Sequence, residues 1–290
     1  MQELAIVTDS VADLPKDLCQ TYDVTVIPLT VTVGGQSYRD RVDLSVDEFY
    51  RLMREEEWAP QTSQPSPGVF LEVYRRLVQA GRKVISLHLS GFLSGTVRTA
   101  QLARDQLVVE ERLPEDAVTV VDTLNGSMGQ GWQVLAAAEA AAAGQSLPEA
   151  LRLIGQVRER VRLFLHVPSL EYLHKGGRIT TVTALVGSLL HITPLLGVVN
   201  GVVQPIAKLR GEGQVLRKYL ELVGEGWRAA QAAGEHFRLA VMHADAAAAA
   251  ERLRAHLTQE LKLSEQPLLV ETGPVIGRHV GPGALGVAFY

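Results

Sequence analysis

Two short clusters of hydroxyl-bearing residues and one histidine hold most of the chemistry this chain offers. In Thr62-Ser63-Gln64-Pro65-Ser66-Pro67 two adjacent hydroxyls stand beside two prolines, each of which restricts the backbone around it. The result is a rigid shelf of hydrogen-bonding groups. The same stretch also reads as a helix start, with Ser66 as N-cap and Pro67 at the first helical position of an amphipathic segment from Val69 to Ala80. Ser94-Gly95-Thr96 lies at the predicted start of another helix, where free backbone N–H groups and the helix dipole favour a carboxylate or phosphate. Ser94 would serve equally as a cap. Gly277-Arg278-His279-Val280-Gly281-Pro282-Gly283 reads as a loop presenting one imidazole with little bulk around it, either structural or open to close approach by a ligand. Arg178, after Gly176-Gly177, suits an interface held through carboxylates or carbonyls, or an anionic ligand. Lys208 and Arg210 form a basic edge, either solvated or facing a partner.

Several reaction chemistries are missing from the sequence. It contains no Gly-x-x-x-x-Gly-Lys phosphate loop, no His-Glu-x-x-His, no cysteine pair and no Gly-x-Ser-x-Gly nucleophile elbow. Gly281-Pro282-Gly283-Ala284-Leu285-Gly286 matches a dinucleotide fingerprint in spacing, but only four residues follow it, too few for the helix and acidic residue that complete such a site. Neither a metal nor a cofactor is expected. Cys19 has no partner for a disulfide, which fits a reducing compartment. Met1 to Val7 runs into a strand with no basic n-region, so a cytoplasmic location is expected. The formal net charge of -4 gives no general attraction to nucleic acid. The longest apolar run, Ala184 to Val199, contains His191 and Pro194 and falls short of a membrane span, so no stable membrane insertion is expected.

The elements that must position these groups follow from the apolar patterning. Strands are predicted at Leu4–Thr8, Val24–Val33, Lys83–Leu89 and Ala117–Val121, with Pro28 marking an edge or bulge in the second. Ser10 with Asp13, and Ser45 with Glu48, resemble helix-opening caps. Helices are predicted after Ser66 and Thr96, from Met128 to about Ala143, and after Ser146. Such alternation specifies an α/β domain with a mainly parallel sheet over residues 1–157, whose ligands collect beyond the carboxyl ends of the strands. Loops at Asp9-Ser10, Ser90–Thr96 and Asp122–Ser127 lie there. Residues 158–290 read as an α+β domain with the ligand at the domain interface. It has strands at Val161–Val167, Leu195–Val199, Val202–Leu209, Arg238–Met242, Leu268–Glu271 and Leu285–Phe289, and short helices at Ser169–His174 and Thr183–Leu190. Longer helices are predicted at Gln214–Ala232 and Asp245–Leu261, and Asn200-Gly201 marks a tight hairpin.

The blocks Thr62-Ser63-Gln64-Pro65-Ser66, Leu93-Ser94-Gly95-Thr96, Ser127-Met128-Gly129-Gln130-Gly131, Tyr172-Leu173-His174-Lys175-Gly176-Gly177-Arg178-Ile179, Leu189-Leu190-His191-Ile192-Thr193-Pro194 and His279-Val280-Gly281-Pro282-Gly283-Ala284 occur in the order and approximate spacing of the DegV family. The resemblance extends from Thr8-Asp9-Ser10 to the last strand. It implies a two-domain protein that binds one long-chain fatty acid and, where a matching kinase exists, presents the carboxylate for phosphorylation to acyl phosphate in phospholipid metabolism. By the same resemblance Thr62 and Ser94 grip the carboxylate and His279 completes the network, with Ser63, Gly95, Thr96 and Arg178 supporting or adjacent. Val280 stands where many members have a hydroxyl residue and Val97 where the family often has an aromatic one, which puts one polar contact and part of the pocket wall in question.

The physical demands agree with that reading. Burying about fifteen methylenes at ~0.8 kcal/mol each gains ~12 kcal/mol before association costs, so the tail can supply affinity. The head then needs donors that leave its oxygens reachable, a role suited to hydroxyls and an imidazole. The apolar run Ala184 to Leu196 is a natural tunnel wall. On this reading the protein is a binding subunit without catalysis of its own. The alternatives are a serine hydrolase acting on a small ester through Ser94, His279 and an acid such as Asp9, and an interaction module using the Lys208–Arg210 edge.

Overall fold

Continuous apolar runs in the first half of the chain produce strands buried on both faces, which require helices above and below. The computed structural model describes residues 3–55, 60–178 and 193–290. Its first elements are β1 (Leu4–Asp9), α1 (Lys16–Thr21), β2 (Val24–Ile27), β3 (Thr30–Val33), β4 (Gln36–Arg39), α2 (Val46–Glu55), β5 (Gln61–Ser63) and α3 (Pro67–Gln79). Next come β6 (Lys83–His88), α4 (Thr96–Glu111), β7 (Val118–Asp122), α5 (Ser127–Ala142), α6 (Leu147–Arg160), β8 (Arg162–His166) and α7 (Glu171–Lys175). The remainder is β9 (Thr193–Val199), β10 (Val202–Leu209), α8 (Glu212–Ala233), β11 (Leu239–His243), α9 (Ala247–Leu261), β12 (Leu268–Glu271), α10 (Pro274–Val280) and β13 (Leu285–Phe289). The helix expected at Thr183–Leu190 lies outside the described residues.

The fold is mixed α/β, as expected. A four-stranded parallel sheet has the order β2-β1-β6-β7, and a separate six-stranded mixed sheet the order β10-β9-β8-β13-β11-β12. Every pairing in the second is antiparallel except β11 with β12. Asn200 and Gly201 turn the β9–β10 hairpin with φ of 50° and 84°, the left-handed pair that a tight hairpin needs. A third, three-stranded antiparallel sheet, β4-β3-β5, is absent from the sequence expectations. It arises because Val24–Val33 is two strands rather than one bulged strand. Pro28 has no N–H to continue the ladder, so β2 stays at the edge of the parallel sheet while β3 leaves to pair with β4 and β5.

Helix α5 sits between the two larger sheets. Thirteen of its sixteen residues are buried, so its alanine-rich, nearly all-round apolar sequence reflects burial on both sides rather than helical propensity alone. Val134, Ala137 and Ala138 pack with Ile6 and Leu87 of the parallel sheet, while Met128, Trp132 and Leu135 pack with Leu163, Ala240 and Ala288 of the mixed one. The Trp132 indole N–H donates to Ala288 O at 3.0 Å.

The end of β1 is a polar junction rather than a helix cap. Asp9, not Ser10, caps the 3-10 turn Ser10–Ala12 by accepting from Val11 N, and the Ser10 hydroxyl oxygen instead accepts from Leu29 N at 3.1 Å. Asp13 adopts the left-handed conformation, φ 51°. Its fully buried carboxylate accepts from Arg41 NH2 (2.8 Å), Gly273 N (2.8 Å) and the Ser127 hydroxyl (2.6 Å). Burial pushes its pKa up, while these three donors pull it down. One side chain thus holds β1, α5, the loop after β4 and the start of α10. Asp13→Ala is expected to destabilise the protein by about 3 kcal/mol, because it strands a partly buried guanidinium and two further donors. Urea unfolding of the two proteins measures this, and a loss under about 1 kcal/mol would mean the junction holds nothing together.

Candidate binding site

Pairing of β5 with β3 converts the hydroxyl shelf into part of a sheet: Thr62 stands opposite Val31 and is half-buried, while its neighbours Gln61 and Ser63 are exposed. The expected loop is therefore a short strand, followed by Ser66 as N-cap of α3 without a side-chain capping bond. His279 also departs from expectation, because it lies on a helix rather than on a loop. Pro274 occupies the first turn of α10 and Gly281, at φ 79°, follows its end, the usual proline-first, glycine-last pattern. That pattern was readable in the sequence but was outweighed by the density of glycine. Val275 and His279, four residues apart, share the inward face.

These elements bring separated residues together. Thr62 Oγ1 lies 3.1 Å from His279 Nε2. Ser94 Oγ lies 2.9 Å from Thr96 Oγ1 and accepts from Thr96 N at 3.4 Å, so the fully buried Thr96 positions Ser94. The Gln64 side chain crosses over Gly95, where any Cβ would come within 2.2 Å of its Oε1, and its Nε2 donates to Thr99 Oγ1 at 2.7 Å. The two hydroxyl clusters are thereby clamped side by side. Thr62, Ser63, Ser94, Gly95, Arg178 and His279 all line one cavity of about 410 Å³, within the ~300–1,000 Å³ typical of small-molecule sites. Thr96 stands behind its wall.

Away from the hydroxyls the wall is apolar, including Leu29, Leu89, Leu163, Leu165, Val198, Val203, Met242 and Val275. Most of the expected tunnel wall at Ala184 to Leu196, residues 184–192, lies outside the described residues. Leu195 faces the opposite side of the sheet, packed with Tyr219 and Val241. Strand alternation explains the choice: Leu163 and Leu165 of β8 face the cavity while Phe164 packs on the α8 side. Val280 lines the cavity, whereas Val97 is buried off its wall.

The electrostatics of this end are unusual. Burial, then the Arg178 and Arg278 cations, hold the His279 imidazolium well below its ordinary range, at a pKa of about 3, so the ring is neutral near pH 7. Its Nδ1 is buried without a hydrogen-bond partner among the described residues, against Gly176, where a Cβ would approach within 2.2 Å. Arg178 donates through Nε to Leu93 O (3.2 Å) and through NH1 to Gly176 O (2.5 Å), which places it at an interface held through carbonyls. Arg278, which sequence reasoning passed over, is buried and donates to the carbonyls of Pro60, Tyr172 and Lys175. No local sequence signal separates it from a surface arginine. Burial lowers the pKa of both arginines. Among the described residues neither pairs with a carboxylate, and no Asp or Glu lines the cavity.

Among the described residues no hydrogen bond joins Ser94, His279 and Asp9 to one another. Asp9 Oδ2 lies 2.9 Å from His88 Nδ1, and His88 Nε2 lies 2.7 Å from Ser86 Oγ, which accepts from the Tyr74 hydroxyl at 2.8 Å. All four side chains are fully buried between β1, β6 and α3. Asp9 is committed to that structural chain, while His279 bonds Thr62 and Ser94 bonds Thr96. Lys208 and Arg210 are exposed at the end of β10, away from the cavity wall.

Comparison with known proteins places this architecture. The DegV family model, described as an uncharacterised protein family, matches residues 3–290. A DegV domain-containing protein from Deinococcus radiodurans is 38% identical over 98% of this chain and 97% of its own length. The fatty acid-binding DegV family protein from Thermus thermophilus has 37% identity and a TM-score of 0.83, covering 100% of this chain and 99% of that one. DegV, a fatty acid-binding protein from Bacillus subtilis, has 30% identity and a TM-score of 0.87 at the same coverage. The chain belongs to the DegV family. Among the described residues no helix is long and apolar enough to cross a membrane.

The buried, neutral His279 sets a pH dependence. Its folded pKa lies below the ordinary 6.5, so the stability it contributes is complete above pH 6.5 and is lost as the pH falls toward 3. His279→Gln is expected to unfold at a urea concentration that declines less between pH 7 and pH 4 than that of the wild type. Parallel profiles for the two proteins would show that the ring is not held neutral by its surroundings.

Proposed function

We propose that this protein binds one long-chain fatty acid, with the tail in the apolar cavity and the carboxylate on the hydroxyls of Thr62 and Ser94. The observation that carries this reading is the Thr62–His279 contact at the polar end of an otherwise apolar cavity. With the imidazole proton on Nε2, His279 donates to Thr62 Oγ1 and frees the Thr62 proton to donate to the ligand. Fatty acid-binding relatives of the same fold support the choice of ligand. Arg178 and Arg278 are held by carbonyls, so they favour the ionised head through their field while leaving its oxygens uncapped.

An uncapped carboxylate can react. On this reading a cytoplasmic kinase partner brings ATP, a carboxylate oxygen attacks the γ-phosphorus, the bond from that phosphorus to the β–γ bridging oxygen breaks, and acyl phosphate and ADP result. The sequence lacks a phosphate loop, so the groups that hold nucleotide and magnesium belong to the partner and this chain is a non-catalytic binding subunit. The division into domains 1–157 and 158–290 belongs to the same proposal, with the ligand lying between them.

Organic extraction of the purified protein followed by mass spectrometry is expected to yield about one fatty acid per chain. The Thr62→Ala, Ser94→Ala double variant is expected to retain at least tenfold less with an unchanged circular dichroism spectrum. Wild-type retention by the double variant would refute the head-group assignment, and ester turnover abolished by Ser94→Ala would point to hydrolysis instead.

A further inference from the structure

Where the cavity floor crosses the six-stranded sheet, three laterally paired residues form a row: Leu165 of β8 stands opposite Gly286 of β13, which stands opposite Met242 of β11. All three line the cavity. The glycine leaves a gap in the floor that the end of the Met242 side chain fills, since a Cβ at position 286 would lie 2.9 Å from Met242 Cε. The same Cβ would lie 3.2 Å from Phe164 O and 3.7 Å from Leu165 Cβ, so backbone and β-carbon close the other sides. Only the thioether is free to yield. It is lightly tethered, because the Ser127 hydroxyl, which donates to Asp13, also lies 3.3 Å from Met242 Sδ.

This row is far from the polar end. Met242 pairs with Val270, two residues before Thr272, and from Pro274 the chain climbs five residues along α10 to His279, ~7.5 Å at the helical rise of ~1.5 Å per residue. The wall continues past the row to Leu163, two residues further along β8. A chain anchored beside His279 must therefore pass over Met242 to reach the end of the cavity. Methionine is unbranched and soft, so its rotamer can change at little cost where that of leucine or isoleucine would not.

Resting on the fatty acid reading above, we propose that Met242, seated over Gly286, is the residue that sets which tail lengths the cavity accepts. The two positions then act in opposite directions. Met242→Ala removes three heavy atoms from the floor and makes room for a longer chain. Gly286→Ala pushes the Met242 methyl up into the cavity and shortens the space available.

The test loads delipidated full-length protein with an equimolar mixture of tetradecanoic, hexadecanoic, octadecanoic and eicosanoic acids, and quantifies the bound acids by mass spectrometry after gel filtration. Relative to wild type, Met242→Ala is expected to raise the eicosanoic-to-hexadecanoic ratio about tenfold and Gly286→Ala to lower it by a similar factor, given about fourfold in affinity per methylene. If Met242→Ala fails to fold, the shift in Gly286→Ala alone decides the matter. An unchanged length profile in variants that still bind acid overturns the role of Met242 and leaves the fatty acid reading intact. Failure of the wild type to take up any of the four acids overturns both.

Discussion

A single hydrogen bond between Thr62 and His279 joins parts of the chain that are 217 residues apart, and the arrangement of the polar end depends on it. The bond needs a neutral imidazole, which burial beside two cations with no carboxylate partner among the described residues provides. Three separate devices meet those demands. Strand β5 leaves the path to α3 to pair with β3, which fixes Thr62; Gly176 lets α7 close on Nδ1; and Asp13 holds the first turn of α10 through Gly273 N. Loss of any one would move the ring relative to the hydroxyl.

Among the described residues, the same region manages buried charge without ion pairs. Arg178 and Arg278 spend their donors on the carbonyls of Leu93, Gly176, Pro60, Tyr172 and Lys175. Carbonyls satisfy the hydrogen bonds but do not cancel the charge, so the field at the end of the cavity remains positive. At the start of α10 Asp13 and Arg41 do pair, and there the outcome is rigidity rather than attraction for an anion. Helix α5, whose first residue Ser127 donates to Asp13 and lines the cavity, is buried against both large sheets.

Much of this was legible in the residues. Both hydroxyl clusters, the histidine and Arg178 stood out because their types and their glycine or proline neighbours are locally unusual, and the strand–helix alternation fixed the class of the first sheet. What escaped notice depends on partners distant in sequence. The β4-β3-β5 sheet needs Val31 to find Thr62, and Arg278 differs from a surface arginine only by the carbonyls that surround it. Leu163, Leu165 and Met242 of the cavity wall come from strands whose alternation hides half of each residue set in the core, whereas most of the apolar run expected to line it, residues 184–192, lies outside the described residues. Helix α10 escapes for a different reason: the glycines and proline of Gly277–Gly283 read as a loop, whereas Pro274 and Gly281 mark the two ends of a helix.

The central claim is that an anionic head docks on Thr62 and Ser94 while its tail follows the apolar cavity. A crystal structure of the protein saturated with octadecanoic acid tests it most directly. The account predicts carboxylate oxygens within hydrogen-bonding distance, ~2.5–3.0 Å, of Thr62 Oγ1 and Ser94 Oγ, with the chain running along α10 toward Met242. A carboxylate bound elsewhere, or a reversed chain with its methyl end beside His279, would contradict it.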